Sequence, residues 1–207
     1  MVDILNWWCY TINTKTLTNH REEPKIPNWC SNTIDIVGPR EKIRALWDAA
    51  QRTEESRGGL LQAMRPAPRL AEDEWYGWNI ENWGTKWDVD TQGLEFEEDE
   101  DGNYDNGGLG PHARISGWFD SAWSPPVEAC QAYGEANPDV TIILRYYEPG
   151  MCFVGLYEFV EGAEMTDFCF DYSSCTTDNV RDMIGEELDD HWGVSEQMAE
   201  WDEENAD

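Results

Sequence analysis

Residues 97–108, EEDEDGNYDNGG, put Glu97, Asp99, Asp101 and Gly102 at positions 1, 3, 5 and 6 of a calcium-loop pattern. Such a loop closes with a bidentate Glu at position 12, and position 12 here is Gly108. The run therefore reads as a solvated acidic loop. Six cysteines (Cys9, Cys30, Cys130, Cys152, Cys169, Cys175) form no Cys-x-x-Cys pair, and the three histidines (His20, His112, His191) are far apart in the chain. That spacing offers no zinc site. A nucleophilic Cys30 or Cys152 would need one of those histidines as a base, and no local signature supplies it. The GGLG stretch at 107–110 lacks the flanking pattern of a phosphate-binding loop. No catalytic residue, metal or cofactor is implied.

Lys86 is the last lysine of the chain, between Trp83 and Trp87 and just after Trp75 and Trp78. Aromatic rings beside a cation can stack nucleic-acid bases, but that use needs a positive groove for the phosphates. Residues 71–207 carry a net charge of −31, against +2 for residues 1–70. The expectation is structural: core tryptophans, with the Lys86 ammonium within about 6 Å of an indole ring or paired to a carboxylate such as Asp88.

The strongest pattern is acidic. Eleven Asp and Glu fall between Asp178 and Glu204. Were those residues one helix it would span about 40 Å. The charge spacing would then be roughly 3.7 Å, close to the 3.4 Å between phosphates along one DNA strand. Asp178, Asp182, Glu186 and Asp190 recur every four residues and would share one face. Together with Glu97, Glu98, Asp99, Glu100 and Asp101 they form the expected partner-binding set.

These groups need elements to carry them. The chain has 207 residues, 40% of them hydrophobic and 12 of them Trp, enough for a packed core despite a net charge of −29. It begins without a basic, apolar leader and contains no stretch of about 18 apolar residues, so no membrane association is expected. Without an export signal the cysteines are expected to stay reduced.

Residues 1–26 read as an extension with a hairpin at NWWCYTIN. The alternation in NTIDIVGP predicts a strand ended by Gly38-Pro39, and Ile43, Leu46, Trp47 and Ala50 give the next helix one apolar stripe. Residues 52–74 read as a long loop with a helical turn. WYGWNIENWGTKWDV changes apolar phase part-way, which predicts a strand with a bulge near Asn82–Gly84. ARISGWFDSAW predicts a strand, then a helix capped by Ser124 with Pro125 at its first position and ending near Ala136. DVTIILRYYEPG, MCFVGLYEFV and EMTDFCFDYS predict three further strands. Val180, Met183, Ile184 and Leu188 predict a C-terminal helix with one apolar stripe, and SEQMAEWDEEN predicts a last short helix. The order strand, helix, strand, strand, helix, strand is that of an α+β, ferredoxin-like βαββαβ core. The last two strands add a β-hairpin, and acidic helices follow. The expected divisions are an extension at 1–26, the domain at 27–172 and an acidic helical segment at 173–207.

Four stretches, PNWCSNTIDIVGP, NWGTKWD, FDSAWSPP and YYEPGMCFVG, fall in this order across residues 27–160. With them the chain resembles a family of small Api-like phage and plasmid proteins with a ferredoxin-like domain. The resemblance implies that fold and a mobile-element origin, and it carries over no catalytic residues. The N-terminal extension and the acidity depart from it.

Charge, fold and resemblance together point to a non-enzymatic phage-type effector in the cytoplasm of a bacterial host. Its expected partner is a basic, nucleic-acid-handling host protein, bound and inhibited through DNA-like charge, with no direct contact to nucleic acid. The alternatives are an accessory phage protein whose acidity serves solubility or salt adaptation, and a small enzyme.

Overall fold

The computed structural model describes residues 28–51, 58–99, 112–160 and 162–205. The expected N-terminal hairpin lies outside these residues, as do Glu100 and Asp101. In chain order the elements are β1 (Trp29–Pro39), α1 (Arg40–Ala50), α2 (Leu60–Met64), α3 (Trp75–Trp83), β2 (Leu94–Asp99), β3 (His112–Ala122) and α4 (Val127–Ala136). There follow β4 (Thr141–Glu148), β5 (Phe153–Val160), β6 (Ala163–Asp171), α5 (Val180–Ile184), α6 (Glu186–Trp192) and α7 (Val194–Glu204). The six strands form one antiparallel sheet in the order β2-β3-β1-β4-β5-β6, which makes the protein α+β.

β1 is the central plank. Its eleven residues pair with all of β3 on one side, and Ser31–Val37 pair with β4 on the other. Strand alternation sends Cys30, Asn32, Ile34 and Ile36 to one face, where all are buried. There they meet Ile43, Leu46 and Ala50 of α1, Leu60, Leu61 and Met64 of α2, Trp83 of α3, and Ala129, Cys130 and Tyr133 of α4. Asn32 is tolerated in this core because its amide donates to the Cys30 carbonyl (2.7 Å) and the Ser121 hydroxyl (2.8 Å).

The opposite face is covered only towards β4–β6. Tyr147 and Val154 pack there with Tyr172, Val180, Ile184, Leu188 and Val194, so α5–α7 close a second, smaller core.

Three expectations change. The tryptophan segment is a helix, α3, and not a bulged strand. Trp75, Trp78, Asn79 and Trp83 fall at helical spacing, and the helix stops because Gly84 adopts a left-handed φ of 83°. Asn79, polar but buried, spends its amide on the Lys86 carbonyl at 2.8 Å, which folds the chain back under the helix end.

The acidic run is in part a strand. Leu94 is buried, and Phe96 stacks on Trp47 at 5.9 Å, while Glu95 and Glu97 point to solvent. An edge strand carrying acids resists pairing with another chain.

Finally, α4 starts at Val127 with Pro126, not Ser124, at its cap position. The Ser124 hydroxyl instead donates to the Gly84 carbonyl, tying α4 to the end of α3.

Candidate binding surfaces

Lys86 sits where the turn after α3 meets exposed aromatic rings. Its ammonium lies 4.4 Å from the Trp87 ring centroid and 5.9 Å from that of Tyr76, within cation–π range. Asp88 is engaged by the chain itself: it accepts the backbone N–H of Leu61 (2.8 Å) and of Val89 (2.8 Å), and so fixes the start of α2. The tryptophans are not uniformly core. Trp83 is buried and donates its indole N–H to the Arg65 carbonyl at 2.8 Å, whereas Trp75 and Trp87 are exposed. The contacts of Lys86 are internal to the chain. Lys86→Met is expected to lower stability by about 0.5–1 kcal/mol in a thermal melt, with partner binding unaffected. Loss of binding at unchanged melting temperature would place the lysine in an interface.

The acidic tail is three helices, the last of them (α7) falling on the short helix expected at SEQMAEWDEEN. Gly185 (φ 89°) and Gly193 (φ 65°) interrupt it in backbone regions that favour glycine, so the charge spacing of a single straight helix does not apply. The expected apolar stripe is broken with it: Val180, Ile184 and Leu188 are buried, but Met183 is exposed. The four acids at spacing four have separate surroundings. Asp178 and Asp182 are exposed. Glu186 and Asp190 are held by Arg181, at 3.0 and 2.7 Å.

Arg181 also reaches the buried Asp189 at 2.8 Å. The other hydrogen bonds of Asp189 come from the backbone N–H and hydroxyl of Ser195, at 2.8 and 2.7 Å. This carboxylate thus joins α5, α6 and the first turn of α7. Burial alone would raise its pKa, but the Ser195 and Arg181 hydrogen bonds outweigh burial and hold it below the ordinary carboxylate value. No spacing rule in the sequence marks Asp189.

In the acidic strand, Glu97 is exposed and stands opposite Arg114. Glu98 is bonded to Arg44 of α1. Asp99 is buried opposite the buried His112. Strand pairing therefore gives each of these three acids a different environment.

The two deeply buried thiols are not poised for chemistry. Burial pushes both Cys30 and Cys130 far above the ordinary thiol range, with the charge of Glu148 adding to the effect at Cys30 and that of Glu128 at Cys130. His191 accepts or donates a 2.9 Å hydrogen bond with the Thr33 hydroxyl on the open side of β1, and burial with the nearby Arg145 lowers its pKa. No cluster of His, Cys, Asp and Glu that could hold a metal ion occurs among the described residues. Within them, too, no helix is long and apolar enough to cross a membrane.

A sheet whose one face is covered by four helices, with an acidic three-helix cap on part of the other, defines an α+β protein of the ferredoxin-like class. The family model described as "Ferredoxin-like domain in Api92-like protein" matches residues 82–205, and the chain belongs to that family. The match takes in the C-terminal helices and leaves out β1 and α1, whereas the sequence motifs placed the resemblance at 27–160. No curated protein and no solved structure matches the chain.

Proposed function

We propose that this chain is a non-enzymatic effector of phage or plasmid origin that acts in the host cytoplasm. It binds a basic, nucleic-acid-handling host protein and blocks it by presenting DNA-like charge. The observation that carries the reading is the fate of the three basic side chains after Lys86. Arg114 is bonded to Asp35, Arg145 to Glu187, and Arg181 to Glu186, Asp189 and Asp190. Every cation in that part of the chain is thus engaged internally, while Asp178, Asp182, Glu196, Glu200, Asp202, Glu203 and Glu204 remain exposed. A surface of this kind attracts basic partners and repels nucleic acid.

β1, α1, β2, β3, α4 and β4 make a βαββαβ core, which the strand order β2-β3-β1-β4 supports. β5 and β6 extend its sheet as a hairpin and give α5–α7 a surface to pack on. The hairpin thereby holds the acidic helices as a folded array.

Immobilised protein incubated with bacterial lysate at low salt should retain a basic protein that duplex DNA then displaces. Retained proteins that neither salt nor DNA releases would contradict charge imitation and favour acidity as a solubility feature.

A further inference from the structure

A second feature lies apart from the acidic helices, at the end of β3 that β2 does not cover. β2 pairs only as far as Gly117, where Leu94 begins. Beyond it, residues 118–122 of β3 form one wall of an open cleft of about 600 Å³, and the loop from Trp87 to Gly93 forms the other. The loop is held in place: the Trp118 N–H donates to the Gly93 carbonyl at 3.0 Å, and a Cβ on Gly93 would fall 2.1 Å from the Trp118 carbonyl. The cleft is therefore preformed.

Three tryptophans line it, and all are exposed: Trp29 at 46%, Trp87 at 37% and Trp118 at 62%. Large apolar side chains left in water together mark a binding site more often than a scattered surface. Trp29 and Trp118 share the open face of the sheet, because their partners Ala122 and Thr33 do so in the β1–β3 register. Trp29 and Trp87 meet at 6.0 Å with their planes inclined by 44°, which makes a corner rather than a stack. The rim is acidic. Asp90 accepts the Gln92 N–H (3.0 Å) and Asp120 the Ser31 hydroxyl (3.0 Å), and no basic side chain among the described residues forms an ion pair with either.

Indole faces are negative, as are the carboxylates beside them. Both favour a cation that carries apolar surface, and both disfavour phosphate or a free carboxylate. We infer that this cleft binds an alkylammonium group, the end of a lysine or methylated lysine side chain presented by a protein. Trp87 already carries the Lys86 ammonium at 4.4 Å, so Trp29, Trp118, Asp90 and Asp120 supply the part of the site open to an incoming cation. The site is independent of the acidic helices, and it can stand or fall without them.

The test uses the full chain, labelled with ¹⁵N, and Nα-acetyl-trimethyllysine amide as the probe. The indole N–H signals are followed during titration. Trp201 is the internal control: it is 64% exposed, lies on acidic α7 between Glu200 and Asp202, and is outside the cleft. The Trp118 signal should move saturably while Trp201 stays nearly still. The neutral analogue Nα,Nε-diacetyllysine amide, its α-amine capped like that of the probe, should bind at least fivefold more weakly. Asp90→Asn with Asp120→Asn, or Trp118→Ala alone, should weaken the probe at least fivefold, and each is a surface change that leaves the core intact. Equal movement of Trp118 and Trp201, equal binding of the neutral analogue, or an unchanged affinity in the variants would overturn the assignment.

Discussion

A fragment of residues 82–207, which holds the family-matched stretch 82–205, should fail to fold. It keeps β2 through α7 but lacks β1 and α1. β1 lies between β3 and β4, so its removal strips the ladder from one side of both strands and splits the sheet. The main core also loses Ile34, Ile36, Ile43 and Leu46, which are 0–4% exposed. At about 2 kcal/mol for each buried side chain, those four alone contribute about 8 kcal/mol. That is comparable with the whole stability of an ordinary domain, about 5–15 kcal/mol. Circular dichroism on heating should show no cooperative transition in the fragment. Adding residues 28–81 as a separate chain should restore one. A fragment that melts cooperatively by itself would mean that the central position of β1 is wrong.

The second large effect concerns Asp189. Replacing it by Ala removes an acceptor from Arg181, which keeps Glu186 and Asp190, and leaves both donors of Ser195 without their partner. Leaving those Ser195 donors unpaired costs about 1–3 kcal/mol. The loss should appear first in α5–α7, seen as faster hydrogen exchange there, while β1 and β3 stay protected. The dependence on pH has a definite sign. The carboxyl is held below its ordinary value of 3.8 in the folded chain, so it stabilises fully above that value and the contribution is lost as pH falls. The gap between wild type and Asp189→Ala should therefore be full at neutral pH and narrow below about pH 4. A gap that widened on acidification would show that Asp189 is not the ionised centre of this network.

What could be read from the sequence follows from which side chains dominate each segment. β1, α1, β3, α4 and β4–β6 were legible, because their apolar residues alternate or recur at helical spacing over eight or more positions. α3 was misread for a physical reason. Its inward face includes Asn79, whose burial depends on a hydrogen bond to Lys86 that no periodicity reveals, and without that position the tryptophans look like a strand changing phase. β2 was hidden by its acids, since an edge strand needs only Leu94 and Phe96 to anchor it. The separate last helix was legible in SEQMAEWDEEN, but the break at Gly185 was passed over by counting charge along one helix. The same assumption placed Glu186 and Asp190 on a solvent face, although Arg181 engages both. The exposed trio Trp29, Trp87 and Trp118 could not be read at all. Trp118 lies some thirty residues from Trp87 and nearly ninety from Trp29, and only the pairing of β1 with β3 and the course of the loop before β2 bring them to one cleft.

The central claim is that exposed carboxylates of the tail act as a set on a basic partner. Asp178→Asn, Asp182→Asn, Glu200→Gln and Glu203→Gln together remove four exposed charges and spare the Arg181 network and the buried Val180, Ile184 and Leu188. Each change alone should matter little, because an exposed pair contributes about 0–1 kcal/mol. The decisive measurement is the affinity of the captured basic protein for wild type and for this fourfold variant across a salt series. The account predicts that wild-type affinity falls steeply with salt and that at low salt the variant binds more than tenfold more weakly, with an unchanged melting temperature. Equal affinities for the two proteins, with no dependence on salt, would contradict it.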